Sequence, residues 1–242
     1  MTGPDAEEGK RAVGEEFFFE AAGERLAATR TTGNGGADPE ILTLHGLGTA
    51  ATRHRARYLL DAWAAHGHGS LTFDFSGNGD SSGDLSRSTL RRRRAETLAA
   101  AAWLRKDRRP VVVGTSLGAH LAAWTVRELR PRALVLFCPA TYPEHAADLP
   151  FDGSLVRPGN HSDSPAYAAL REFDGDLLIF GARQDQVCPP EVIEGYLDNA
   201  RRARSAEAVW FEGCDHFVHR WLPGRVPERE RTVRAVLRLL AA

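Results

Sequence analysis

Residues 111–118 read Val111-Val112-Val113-Gly114-Thr115-Ser116-Leu117-Gly118, a β-branched run that stops at a glycine and sets a serine between two glycines. Three consecutive valines point to a buried strand, and the G-x-S-x-G pattern that follows marks a strand turning sharply into a helix. On such a turn the serine is held in a strained conformation, and side chains at 114 and 118 would collide with the chain. Ser116 is thereby presented as a nucleophile, and the rest of the sequence has to supply what would activate it.

With 242 residues, 43% hydrophobic and 26% charged, residues 1–242 are expected to form one domain with a substantial core. Its 31 basic and 32 acidic residues give a net charge of -1, so no global basic field favours nucleic acid or an anionic membrane as a partner. There is no run of about 18 apolar residues to span a bilayer. Residues 1–14 are polar, lack the apolar core of a secretory signal and read as a disordered lead, so a cytoplasmic protein is expected. Three cysteines, Cys138, Cys188 and Cys214, are odd in number and too few for a disulfide scaffold, which agrees with a reducing compartment. A bridge between Cys188 and Cys214 stays open.

Strands and helices alternate along the chain. Residues 15–20 and 25–32 read as an antiparallel hairpin about a turn at Ala21-Ala22-Gly23-Glu24. Strands are then expected at 41–45, 70–75, 111–115, 132–138, 176–181 and 206–212, and helices at 52–65, 88–106 (Ser88 as N-cap), 117–130, 190–201 and 226–240. Such alternation requires parallel pairing with helices on both faces: an α/β fold, a mostly parallel doubly wound sheet preceded by the hairpin. Residues 140–174 interrupt the alternation with a polar insertion, inside which Ser164-Pro165 announces a short helix, and this segment is the candidate lid.

In parallel α/β sheets the loops beyond the carboxyl ends of the strands converge on one crevice, so partners for Ser116 are sought there. A serine nucleophile needs a base, a carboxylate to orient it and an oxyanion hole. His216, in Gly213-Cys214-Asp215-His216-Phe217, follows the last strand directly and is the best-placed base, with His219 as fallback. His54, His66 and His68 fall on a helix or its end, and His120 on the helix after the serine, where structural roles are the better reading. Asp185 lies in the loop after strand 176–181, and the order Ser116, Asp185, His216 is that of the nucleophile-elbow fold. A role for Asp185 in capping the helix near Pro190 is the competing interpretation. The oxyanion donors are expected to be the backbone N–H groups of Leu117 and, from His45-Gly46-Leu47-Gly48, of Leu47.

With these motifs in order, the chain from residue 41 onward resembles the α/β-hydrolase superfamily of serine hydrolases. The resemblance rests on His45-Gly46-Leu47-Gly48, Gly114-Thr115-Ser116-Leu117-Gly118, Ala182-Arg183-Gln184-Asp185 leading to Cys188-Pro189, and Asp215-His216-Phe217. Residues 74–81 also resemble the superfamily's Asp-x-Arg-Gly-x-Gly-x-Ser loop with Ser76 for arginine, a change expected to remove a structural ion pair at most. Ala182 and Cys188 stand where Gly and Val are usual. Among members, small short-lidded esterases and related acyl hydrolases, including feruloyl-esterase-like and serine-peptidase-like ones, are the nearest in look.

The expected chemistry is therefore hydrolysis of a carboxylic ester or thioester of small to medium acyl size. Tyr142, Phe151 and Tyr167 of the insertion are expected to wall the substrate pocket. Acyl transfer to another acceptor, cyclisation, peptidase activity, lyase-like chemistry and a non-catalytic binding role are the alternatives on the same scaffold. No cysteine–histidine cluster has zinc spacing and no phosphate-loop or dinucleotide fingerprint is present, so neither metal nor cofactor is expected. Arg91 to Arg94 on helix 88–106 reads as a solvated surface, since four consecutive residues cover all sides of a helix.

Overall fold

The computed structural model describes residues 14–33 and 36–241, so the lead expected at 1–14 lies almost wholly outside the described residues. Eight strands form one sheet: β1 (Glu15–Ala21), β2 (Glu24–Thr31), β3 (Ile41–Leu44), β4 (Ser70–Phe73), β5 (Val111–Thr115), β6 (Ala133–Phe137), β7 (Asp176–Ala182) and β8 (Ser205–Phe211). Their order is β1-β2-β4-β3-β5-β6-β7-β8, with β1, β2 and β4 antiparallel in succession and every later pairing parallel. From β3 the chain steps outward to β4, then crosses back to β5 on the other side of β3. That reversal opens a crevice beyond the carboxyl ends of β3 and β5, where an open α/β sheet binds its ligands.

β6 is apolar at every position and β5 at all but Thr115, because both faces are covered. Val112, Leu134, Leu136, Leu177 and Ile179 face one core, completed by residues of α2 (Leu90–Ala100), α3 (Leu117–Trp124), α5 (Pro165–Leu170) and α6 (Pro190–Asn199). Val111, Val113, Val135, Phe137, Leu178 and Phe180 face the other, with Leu59, Leu60 and Trp63 of α1 (Arg57–Ala64) and Val236 and Leu240 of α8 (Val226–Ala241). The period-2 alternation of the strands thus divides one sequence between two cores.

Several boundaries differ from expectation for local reasons. Helix 117–130 is two pieces, α3 and α4 (Val126–Leu129), because the Thr125 hydroxyl bonds back to Leu121 and Ala122 carbonyls and competes with the helical ladder. The N-cap of α2 is Thr89 rather than Ser88, its hydroxyl accepting the Arg92 N–H at 3.1 Å. Residues 52–56 wind through turns before α1, pinned where the Arg53 N–H donates to Asp74 at 2.6 Å. A short helix α7 (Val218–Trp221) was not foreseen.

The arginine run also needs correction. Arg91 is exposed and pairs with Asp148, but Arg93 is fully buried, its guanidinium lying 4.8 Å from the Phe75 ring and 4.9 Å from Phe151. Its Nη2 donates to Asn78 at 2.6 Å, and burial lowers its pKa to about 10. Arg93 occupies the helical phase of Leu90, Thr97 and Ala100, which is the face of α2 turned to the sheet. At the loop after β4, Asp74 is paired not by residue 76 but by Arg53, while the Ser76 N–H donates to the buried Glu96 at 3.1 Å.

Candidate active site

Ser116 takes φ 53 and ψ -115, a left-handed conformation that a non-glycine residue adopts only when its surroundings enforce it. Those surroundings are backbone: its N–H donates to the Phe137 carbonyl at 2.9 Å, and its own carbonyl accepts from Ala119 at 3.0 Å and Ala140 at 3.2 Å. A Cβ at Gly118 would stand 2.3 Å from the Leu44 carbonyl oxygen, and one at Gly114 would stand 2.5 Å from the Ala119 Cα. The two glycines therefore let α3 start against β3 immediately after the serine.

Three strand-end loops then meet. His216 Nε2 lies 3.0 Å from Ser116 Oγ, and His216 Nδ1 lies 2.8 Å from Asp185 Oδ2. The remaining Asp185 oxygen accepts the N–H groups of Val187 and Cys188, each at 2.8 Å. Asp185 thus folds its own loop ahead of α6 and still aims one oxygen at His216; it does not cap α6, whose N-cap is Pro189 with no side-chain hydrogen bond. The acid and base loops are tied together by the Gln184 N–H on the Cys214 carbonyl at 3.0 Å, and Asp215 turns His216 inward by accepting the Phe217 N–H at 2.9 Å.

Burial alone would raise the Asp185 pKa, but the hydrogen bonds from His216 and from the two amides outweigh it and hold the carboxyl below its usual value. An ionised carboxylate only accepts, so Nδ1 of His216 carries the proton and Nε2 is free to accept from the Ser116 hydroxyl. His219, the fallback base, is engaged elsewhere: Nε2 meets Thr115 Oγ1 at 2.8 Å and Nδ1 meets the Tyr58 hydroxyl at 2.9 Å, and burial takes its pKa down to about 4.

The amide N–H groups of Leu117 and Leu47 have no hydrogen-bond acceptor among the described residues. Leu117 is the first residue of α3, where the helix dipole is positive. His45 fixes the second amide. The Phe75 N–H donates to His45 Nε2 at 3.1 Å, so that nitrogen is bare and Nδ1 carries the proton, which it donates to the Gly46 carbonyl at 2.8 Å. That carbonyl shares a trans peptide with the Leu47 N–H, so anchoring one end aims the other away from His45. Burial brings His45 to a pKa of about 3, which keeps this tautomer neutral.

A cavity of about 260 Å³ opens at Ser116 and His216. Its walls are the loop 45–56 after β3 and the segment 216–220, with Leu47 and Phe217 as exposed apolar lips. Tyr142, Phe151 and Tyr167 do not line it, contrary to expectation. The Tyr167 hydroxyl donates to the Val192 carbonyl at 3.1 Å in the core beneath α6, Tyr142 packs edge-on against His120 at 5.3 Å, and Phe151 covers Arg93. The second half of the insertion is core packed on α3 rather than a cover for the site.

All three cysteines are free, so no Cys188–Cys214 bridge forms. Cys138, Asp185 and His216 place three ligand-type atoms within 4.8 Å of one another. Burial pushes the Cys138 thiol up, and the neighbouring Asp185 adds to it. Nothing in the sequence pattern signals the place of Cys138 beside Asp185, the Phe75–His45 hydrogen bond or the wall 49–56, since each depends on contacts between segments far apart in the chain.

No protein-family model matches the chain, and no curated protein matches it in sequence. Solved structures do match. Est1E from Butyrivibrio proteoclasticus, with ferulic acid bound, superposes with a TM-score of 0.71 over 93% of this chain and 100% of its own at 15% identity. The chain has the α/β-hydrolase fold. A hydrolase from Pseudomonas aeruginosa PA01 gives 0.69 over 94% and 98% at 20% identity, and the thioesterase domain from the curacin biosynthetic pathway gives 0.63 over 86% and 95% at 16% identity. Among the described residues of this α/β-hydrolase-fold chain, no helix is long and apolar enough to cross a membrane.

Proposed function

We propose that the protein hydrolyses a carboxylic ester or thioester of small to medium acyl size through an acyl-enzyme on Ser116. The observation that carries this is the continuous line from Ser116 Oγ through the His216 ring to Asp185 Oδ2, at 3.0 and 2.8 Å, on a serine held in a strained turn. His216 takes the hydroxyl proton as Oγ attacks the carbonyl carbon, and returns it to the leaving oxygen or sulfur as the carbon–heteroatom bond breaks. Asp185 holds the tautomer and stabilises the imidazolium. The Leu117 and Leu47 amides receive the oxyanion, each such donor being worth about 3 kcal/mol. Water then repeats the sequence on the acyl-enzyme. The likeness to Est1E, which binds ferulic acid, and to a thioesterase domain supports both ester and thioester classes.

The cavity of about 260 Å³ lies below the range of about 300–1,000 Å³ typical of drug-sized ligands, which supports the size limit. A panel of chromogenic esters and thioesters of graded acyl length tests the reading. Turnover of short and medium members, falling for long ones, is expected, with free acid as product. Activity rising steadily with chain length contradicts the size limit; an acyl group delivered to an added amine or alcohol in preference to water contradicts hydrolysis.

A further inference from the structure

The wall of the cavity at Ser116 is uneven in charge. It contains three arginines, Arg53, Arg55 and Arg220, and not one aspartate or glutamate. Arg53 is buried and its charge is consumed by Asp74, Glu16 and Asp80. The other two are different. Among the described residues neither Arg55 nor Arg220 has a carboxylate within ion-pair distance, so within this lining they are the arginines whose charge is not paired. Arg55 reaches back over the loop after β3, Nη2 donating to the Ala50 carbonyl at 2.8 Å, and its charge adds to burial in depressing the nearby His219. Arg220 lies on α7 with its guanidinium 4.6 Å from the ring of Phe217, one lip of the cavity. The nearest acid on that loop, Asp215, is turned to the Phe217 amide and does not line the cavity. Two exposed cations without a carboxylate partner thus line the cavity, one from each loop, together with Ser116 and His216, and Leu47, Ala51, Ala56 and Val218 supply apolar surface.

A neutral, wholly apolar substrate would leave both guanidinium groups unused. We infer that the substrate is an anionic ester or thioester, whose carboxylate or phosphate is received by Arg55 and Arg220 while its apolar part fills the cavity. This rests on the hydrolase reading above. The planar donor fork of arginine suits either anion, and an exposed pair of this kind is read mainly in KM.

The test is a set of substrates matched except for the charge. One arm compares acyl groups of equal length with and without a terminal carboxylate on a common neutral leaving group. The other compares one acyl group on pantetheine with the same group on 4′-phosphopantetheine, so the arms separate an anion on the acyl half from one on the leaving half. In at least one arm the anionic member should show kcat/KM higher by about tenfold, carried by KM and shrinking as salt is raised toward 1 M. Within each variant the anionic-to-neutral ratio corrects for any loss of folded protein: it should fall toward one in Arg55→Gln/Arg220→Gln and survive in part in the double lysine variant. A ratio near one in both arms for the unaltered protein, or a ratio untouched by the double glutamine variant, overturns the inference while leaving hydrolysis intact. Failure of every member, neutral and anionic, overturns the hydrolase reading itself.

Discussion

His216 stands between two oxygens and treats them oppositely, donating to Asp185 at 2.8 Å and accepting from Ser116 at 3.0 Å. Asp185→Asn tests that polarity, because the amide keeps an oxygen for the Val187 and Cys188 N–H groups but can offer His216 an N–H where a carboxylate only accepts. The imidazole then takes the wrong tautomer, and kcat should fall by about 10³- to 10⁴-fold with little change in thermal stability; a loss below tenfold in an ester assay would contradict the assignment. His45 makes a subtler prediction. His45→Ala frees the Gly46 carbonyl and with it the aim of the Leu47 amide, so kcat should drop by at least about tenfold, against the hundredfold or more of a lost oxyanion donor, while KM moves little. A change confined to KM would assign His45 to packing alone. Arg93 marks the limit of reading single residues: four arginines in a row look solvated, and which one is buried is set by the phase of the helix against the sheet.

Between β5 and α3 the chain makes its tightest demand. Ser116 at φ 53 is tolerated because Phe137, Ala119 and Ala140 hold its peptide groups, and because Gly118 lets α3 approach the Leu44 carbonyl. Gly118→Ala would put a methyl 2.3 Å from that oxygen. It should cost about 1–3 kcal/mol, lower Tm by several degrees and displace Oγ enough to remove most activity; differential scanning calorimetry with an ester assay measures both, and an unaltered Tm would show the elbow to be slack. This element is legible in the sequence because its determinants are consecutive: a β-branched run, two glycines and one serine. The convergence of Asp185 and His216 on Ser116 is legible for a related reason, since each follows a strand and all strand ends of a parallel sheet open the same way. The wall of the cavity is not. Aromatics in 140–174 attracted the expectation, yet Tyr142 and Tyr167 are drawn into the core by their apolar rings, and the lining falls to 45–56 and 216–220, where threonine, alanine and glycine carry no pattern. Helix α7 is missed because four residues are too few to show a period.

Across the whole molecule, three histidines are buried as neutral rings. Burial brings His45 and His120 to about 3 and His219 to about 4, and His120 has no hydrogen-bond partner for either nitrogen among the described residues. An unfolded histidine titrates near 6.5, so between pH 6.5 and 4 the unfolded chain binds protons that the native fold refuses. Stability is therefore full above about pH 6.5 and lost as pH falls toward 4, at about 1.4 kcal/mol per pH unit for each histidine. Denaturant melts at pH 7, 6, 5 and 4.5 should show this decline, and His120→Phe should remove about a third of the slope. An unchanged slope would contradict it. The parallel pairing implied by the alternation of strands and helices explains why the site residues cluster: the crevice at the β3–β5 reversal gathers the ends of strands that must otherwise stay apolar, and chemistry-bearing residues collect there. The central claim is that one serine of this chain is an activated nucleophile. Intact-protein mass spectrometry after treatment with a fluorophosphonate tests it most directly: a single adduct, mapped to the peptide bearing Ser116 and absent from Ser116→Ala, is the predicted result, and an unlabelled protein, or an adduct that persists in Ser116→Ala, would contradict the account.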